Sequence, residues 1–553
     1  MKRSFIKLIN GLIKLIGPFI YIILLATLNG TLGFLLSMNI TIFAGITIVK
    51  FLGCNIVLSY HTLGIIILAS GIMRGILRYV EQYSNHYIAF RILQILRNKI
   101  FTKVSNISIE EYEGKSKGDM VNMFETDVEA LEVFYAHTIS PVLIAILIST
   151  IVMIFVGIYA SPIISLYYFI AYIIIGLIIP ILYYKNNKIN GFNNRKELAS
   201  FNSYYLDSIN GYHQIKGLNL EKERTLEINK RSESLNEISD KAENINIRYR
   251  NITNSIIIIL NLCVSLLSII LYKTNIITNL DTIVVFMTLT CSFGSVLALA
   301  QLPQNLANVF SSANRVLDLF ELEEEKDEGK ITNFHFNDLE VTNATFKYNN
   351  VNILNNLNLN INKNDIIGIY GDSGSGKSTL LKLIMRYYDI NGGIIKINGI
   401  DINEYKYDAL YDKVALFSQD SYLFNDTILN NLLIAKEDAT TDEIDEALKK
   451  ANSYDLVYSL KDGLNTKIND LSDNLSQGEI QRIALARVFL RKPELLLLDE
   501  FTANIDPLNE GIIIKSLLKH REDMTILVVS HKESTLNMCD KKYRFKDGVL
   551  YGS

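Results

Sequence analysis

Between Ile163 and Tyr184 the chain carries no charged residue, and a run of that length matches the ~20 residues a helix needs to cross a bilayer. Other apolar runs lie near 17–37, 56–77, 139–159, 252–272 and 282–302. Inside hydrocarbon each backbone N–H and C=O must find its partner within the segment, which makes the α-helix the fold open to such runs. The pattern therefore predicts six spanning helices, all before residue 310. Lys2, Arg3, Lys7 and Lys14 precede the first run, as they would in a signal peptide. No cleavage site of small residues follows it and more spans come later, so it reads as a retained first helix.

Charge placement gives an expected orientation. The short loops near 38–55, 160–162 and 273–281 carry only Lys50 and Lys273 as cations, whereas the N-terminus and segments 78–138 and 185–251 are rich in Lys and Arg. By the positive-inside rule the N-terminus, both long segments and the C-terminal half lie in the cytosol, in a multi-pass protein of the cell membrane surrounded by lipid. Within the first excursion, Ala89, Ile92, Leu93, Leu96 and Ile100 recur at helical spacing. Breaks around Ser105–Gly118 and Ser208–Gly211 are expected to touch the domain that follows.

The apolar share of 49% is concentrated ahead of residue 310. A charged, non-periodic run at 321–330 then separates two differently composed halves and reads as a linker. The expected organisation is a helical membrane domain over 1–315, a linker over 316–331, and an α/β domain over 332–553. The net charge of −4 gives no electrostatic basis for a nucleic-acid partner. Cys54, Cys263, Cys291 and Cys539 lie far apart without CxxC spacing, which argues against a zinc site or a disulfide framework.

In the second half a strand-like run, Asp365–Tyr370, leads into Gly371-Asp-Ser-Gly-Ser-Gly-Lys-Ser-Thr379, and an apolar helical pattern follows. This is GxxxxGK[ST] in the strand–helix context that a phosphate-cradling loop requires. Gly371, Ser373, Gly374, Gly376 and Thr379 would shape the loop, Lys377 would reach the β- and γ-phosphates of ATP, and Ser378 would ligate Mg²⁺. A second apolar strand, Glu494–Asp499, ends in Asp499-Glu500. Asp499 suits the Mg²⁺ shell, and Glu500 is placed to polarise an attacking water.

Between these motifs stands Leu475-Ser-Gln-Gly-Glu479, followed by Gln481-Arg482. It resembles the LSGGQ signature of ABC ATPases, and the neighbouring motifs agree in order over roughly 335–550. The resemblance implies that Tyr348 stacks on adenine and that Gln419, in Phe417-Ser-Gln-Asp, is the Q-loop glutamine reaching Mg²⁺. It also makes Asn504-Ile-Asp506 the D-loop and His531 the switch histidine, acting with Glu500 and Gln419 in hydrolysis. Ser476 and Gly478 would contact ATP held by a second subunit, so the family implies a dimer. The chain departs from the family pattern at Gln477, Glu479, Asp470, Ser472 and in the D-loop.

Six spans ahead of one ATPase domain resemble the exporter branch of half-transporters, and Ile209-Asn-Gly211…Ile215-Lys216 is similar to that branch's second coupling region. Arg78-Tyr79-x-Glu81, His86, Arg91, Leu93, Leu96-Arg97, Gly118-Asp119, Asp127-Val128 and Ser140-Pro141 resemble the CydC-type subunit of CydDC exporters. That resemblance implies a heterodimer moving a small molecule, a thiol compound or haem. A homodimeric lipid, drug or peptide exporter and an ATP-gated protein that does not pump are the alternatives. Read from spacing alone, Arg74, Arg78, Gln82 and His86 form one polar stripe on a helix face. Two guanidiniums and an imidazole there would suit an anionic ligand, and an inter-helix stripe is the bland reading.

Overall fold

The computed structural model describes the chain except residues 1–4, 15–16, 54–55, 114–116, 349–350, 419–421, 469–474, 504 and 553, together with the side chains of 5–7, 9, 117, 184–196, 199, 301, 303–305 and 307–308. It forms two compact units, one of Met1–Ser105 and Lys115–Leu322, the other of Asn106–Gly114 and Glu323–Ser553.

Among the described residues of the first unit, six helices are long and apolar enough to cross a membrane: Gly17–Phe51, Tyr60–Asn106, Gly118–Tyr159, Pro162–Tyr183, Glu221–Lys273 and Asn279–Ala300. Each overlaps one of the six apolar runs. Local chemistry sets several starts. Ser161 caps the fourth helix with Pro162 in its first turn, and Thr278 with Asp281 forms a capping box at the last. At 1.5 Å per residue, the 53 residues of Glu221–Lys273 extend about 80 Å, against ~30 Å of hydrocarbon, so the excursions are continuations of the spans. Tyrosine hydroxyls tie the bundle: the half-buried Tyr167 donates to Leu260 O (2.7 Å), and the buried Tyr172 and Tyr168 donate to Ser292 Oγ (2.7 Å) and Val285 O.

Asp127 sits in a wide π-helical turn, Met123–Asp127. Its buried carboxylate accepts from Ser312 Oγ (2.9 Å) and from Arg315 Nε (2.6 Å) on the long helix Asn279–Glu321. The described residues around the second break, including the short helix Tyr212–Gly217, remain in this unit with Ile209, Tyr212 and Leu218 exposed. The first break differs, since Asn106–Gly114 belongs to the second unit.

The described residues of the second unit form ten strands: β1 (Asp338–Tyr348), β2 (Val351–Asn362), β3 (Ile366–Tyr370), β4 (Gly392–Ile397), β5 (Ile400–Asp401), β6 (Val414–Phe417), β7 (Leu495–Asp499), β8 (Thr525–Val529), β9 (Lys541–Lys546) and β10 (Val549–Gly552). One antiparallel sheet has the order β2-β1-β4-β5, and a second has β10-β9-β3-β8-β7-β6. In the second sheet β9, β3, β8, β7 and β6 run parallel. Parallel strands are covered on both faces and so read as unbroken apolar runs. β7 illustrates the reason: Leu495 and Leu497 enter one core with the helix Lys377–Ile384, while Leu496 and Leu498 enter the other with the helix Gln477–Leu490.

Candidate functional site

Because β3, β8 and β7 are parallel neighbours, their carboxyl ends open on one edge of the sheet, where α/β folds bind ligands. β3 runs into the glycine loop, β7 into Glu500, and β8 into Ser530 and His531. Three motifs distant in sequence thus converge through strand order alone.

The loop turns sharply at Gly376, with φ of 110°, where an added Cβ would lie 2.5 Å from Ile353. At Gly371 a Cβ would meet Phe545 O at 2.3 Å. Gly374 also has positive φ, at 74°, and faces open space, as does the exposed Ser373 beside it. Gly376 then starts the helix Lys377–Ile384, and Thr379 is buried in its first turn. Lys377 is 6% exposed, and its Nζ donates to Gly371 O (2.9 Å), Asp372 O (2.7 Å) and Ser375 Oγ (3.4 Å). Among the described residues it makes no ion pair. A buried ammonium held only by neutral oxygens is a strong attractor for anions.

Ser378 Oγ donates to Asp499 Oδ1 at 3.0 Å, joining the helix to the end of β7. Burial raises the Asp499 carboxyl above its ordinary range; the Ser378 hydrogen bond opposes this, and the neighbouring Glu500 charge adds to it. A divalent cation would reverse that balance. The pair of hard oxygens fits Mg²⁺, which is typically held by one or two protein oxygens and completed by phosphates and water. No cluster of three or more His, Cys, Asp or Glu among the described residues could hold a metal by itself.

Glu500 adopts φ of 47°, uncommon for a residue with a Cβ, and its N–H donates to Val529 O at 2.9 Å. The turn brings Glu500 Oε1 to 3.2 Å from His531 Nδ1. Behind His531, Lys532 Nζ donates to Thr502 O (2.6 Å) and Glu510 Oε2 (3.1 Å), while Ser534 and Thr535 donate to Glu510 Oε1. Burial works against ionised Glu510, but these bonds outweigh it and hold the acid below its ordinary range. The sequence reading missed this brace, which no motif marks.

Tyr348 ends β1 and packs edge-to-face on Phe346 and on Tyr388, with centroids 4.8 and 5.3 Å apart. Ser476 caps the helix Gln477–Leu490 in a box with Glu479, whose carboxylate accepts from Ser476 N (2.7 Å) and Oγ (2.9 Å). Gly478 lies in that helix's first turn. Asp506 caps the helix Pro507–Lys519 and accepts from Asn509 Nδ2 (2.6 Å), and Asn509 Oδ1 accepts from Arg482 (2.8 Å). Lys377, Ser378, Asp499, Glu500 and His531 are thus brought to one edge. No hydrogen bond among the described residues ties Ser476, Gly478 or Asp506 to the glycine loop. Gln419, Asp470, Ser472 and Asn504 lie outside the described residues.

In the first unit, Phe34, Arg78, Glu81, Gln82, Asn85, His137 and their neighbours enclose a cavity of about 110 Å³. One expectation is corrected here. Arg78 is not a free clamp for an external anion, because its Nη1 donates to both oxygens of the buried Glu81, at 2.8 and 2.7 Å. His86 Nδ1 lies 3.4 Å from Glu132 Oε1, and its ring meets His137 edge-on. Arg74 is exposed. Spacing places the stripe on one helix face but is blind to the acids that meet it.

Family comparison agrees with this geometry. The ABC transporter transmembrane region model matches residues 4–295, and the ABC transporter model matches 354–503. The chain is an ABC exporter half-transporter. An ABC protein of Haemophilus influenzae, described as "Probable ABC transporter ATP-binding/permease protein", is 36% identical over 100% of both chains. The ATP-dependent lipid A-core flippase of Escherichia coli K12 is 29% identical over 88% of this chain and 84% of its own length. Among solved structures, a bacterial Atm1-family ABC exporter with ATP bound superposes with a TM-score of 0.82 at 20% identity, over 98% of this chain and 95% of that one. The half-transporter is therefore a multi-pass membrane ATPase that binds ATP, and proteins of this kind work as dimers.

Proposed function

We propose that this ABC half-transporter closes with a second half-transporter over Mg²⁺–ATP and uses its hydrolysis to export an amphiphilic small molecule from the cytosolic side. Lys377 and the loop N–H groups hold the phosphates, Ser378 and Asp499 the Mg²⁺ with Gln419, and Tyr348 the base. Glu500 takes a proton from the attacking water while His531 orients Glu500 and the γ-phosphate. Ser476, Gly478 and Asp506 serve the partner's nucleotide, with the membrane half through residue 315 and the ATPase half from 332. The observation that carries this reading is the meeting of Ser378 with Asp499 and of Glu500 with His531 beside a buried lysine that makes no ion pair among the described residues.

Glu500→Gln should leave ATP affinity within about twofold and lower turnover by about a hundredfold or more. Normal steady-state hydrolysis by that variant removes Glu500 from its role.

The lining of the cavity mixes Phe34, Pro141 and Ile144 with the Arg78–Glu81 pair, Asn85 and His137, a chemistry that matches an amphiphile, and its volume of about 110 Å³ must open to admit one. The relative named as a lipid A-core flippase points the same way. The CydC-type reading, a heterodimer carrying a thiol compound or haem, needs His86 released from Glu132. Titrating a lysophospholipid, glutathione and haem against ATPase activity in lipid discs separates the two readings. Stimulation by haem alone, lost in His86→Ala, replaces the amphiphile with the haem reading. A chain that is active when purified alone is a homodimer.

A further inference from the structure

The acid Glu113 closes the short helix Ile109–Glu113, which is supplied by the first cytosolic excursion and belongs to the ATPase unit. Its carboxylate accepts from Lys382 Nζ at 2.9 and 3.2 Å, and from Tyr388 Oη. Lys382 lies on the helix Lys377–Ile384, whose N-terminus carries the phosphate loop. Tyr388 is 5% exposed, and its ring stands perpendicular (89°) to that of Tyr348, with Phe346 closing the group 5.6 Å away. One carboxylate thus grips the phosphate-loop helix with one oxygen lattice and, through a buried tyrosine, the aromatic at the end of β1.

We infer that Tyr388, held by Glu113, is a positioning residue for the base-stacking Tyr348, so that adenine affinity depends on an acid from outside the ATPase motifs. The inference rests on the reading of Tyr348 as the residue that meets the base. Tyr348 ends its strand, where one side of its ring must stay open for a base. A side chain so placed binds well only if its rotamer is fixed beforehand, since immobilising one on binding costs about 0.5–1.5 kcal/mol. The packed side of the ring is fixed by Phe346 and Tyr388, at right angles to both. Tyr388 in turn has one side-chain polar atom to orient it, and that hydroxyl donates to Glu113 with Tyr348 as its second partner.

The protonation states agree with this arrangement. Burial works against ionised Glu113, but the bonds from Tyr388 and Lys382 outweigh it and hold the acid below its ordinary range. Burial, then Glu113 and Tyr348 as hydrogen-bond partners, raise the Tyr388 phenol, which keeps its proton and stays a donor. By linkage the coupling is reciprocal: whatever Glu113 adds to ATP affinity, ATP returns as tighter docking of Ile109–Glu113.

The test compares two ligands on the full dimer in lipid discs, without Mg²⁺ so that nothing is hydrolysed. ATP has a base, and inorganic tripolyphosphate reports the phosphate loop alone. Tyr388→Phe, which keeps the ring and loses the hydroxyl, and Glu113→Ala should each weaken ATP about three- to tenfold. Tripolyphosphate should stay within about twofold, and the double variant should be no worse than the weaker single one. Equal losses for both ligands would place the effect on Lys382 and the phosphate helix and overturn the inference. So would unchanged ATP affinity in Tyr388→Phe and Glu113→Ala while Tyr348→Ala weakens ATP. If Tyr348→Ala itself leaves ATP untouched, the base-stacking reading fails first.

Discussion

Lys377 and Arg315 are both cations at structurally central places, one in each unit, and they are treated in opposite ways. Lys377 is buried against neutral oxygens without a carboxylate among the described residues, whereas Arg315 meets the buried Asp127. In the ATPase unit Lys377, just past the end of β3, is left for something the described residues do not supply. In the membrane unit, Arg78 and Arg315 are met by Glu81 and Asp127. A cation that serves a ligand stays unsatisfied until that ligand arrives, and a cation that serves the fold does not.

The contrast breaks most visibly at Lys377. Lys377→Ala should lower ATP affinity about a hundredfold, the scale of a lost charge-assisted contact, while the unfolding temperature in detergent stays close to that of the parent. A large drop in that temperature, with ATP binding kept, would make Lys377 structural. Arg315→Ala should do the reverse. It strands the Asp127 carboxylate and should cost about 2 kcal/mol, below the figure for fully buried pairs because the guanidinium is half exposed. Nucleotide affinity measured on the folded fraction should not move. If Arg315→Ala unfolds no earlier than the parent, the pairing carries no stability.

Glu479 sharpens the comparison, since it places an acid where the family's signature has glutamine and where a partner's γ-phosphate would dock. It is occupied in capping Ser476. Glu479→Gln keeps the cap acceptor and removes the charge, so ATP-driven closure should improve by about fivefold, equivalent to ~1 kcal/mol. The apparent KM for ATP checks this. A KM that rises instead would show that the carboxylate is needed as a cap more than it hinders as a charge.

The two units were also unequally legible from sequence. The six spans show themselves because lipid leaves a long apolar helix as the solution for such runs, and β7 shows itself because both its faces are buried. The glycine loop and the Asp499-Glu500 pair are local patterns with chemistry attached. What stayed hidden was side-chain pairing across distance. Spacing put Arg78 on the right face but could not show Glu81 one turn away turning back onto it. Tyr388 and Glu113 lie 275 residues apart, and neither stands in a recognisable motif. Asp127 was visible as a family-like residue, while its reason, a carboxylate in a widened helical turn facing Ser312 and Arg315, needed the packed helices.

That separation has a consequence for the order in which the protein is made. Residues 106–113 leave the ribosome long before Lys382 and Tyr388 exist, so the ATPase unit begins with a fragment that must wait through four further spans. Loop closure over 275 residues adds only slowly with length, but here the intervening chain must be threaded into lipid before the ends can meet. The clasp at Glu113 therefore cannot form until those spans and the helix Lys377–Ile384 have been made, and a stalled or misinserted span would leave the ATPase unit one helix short.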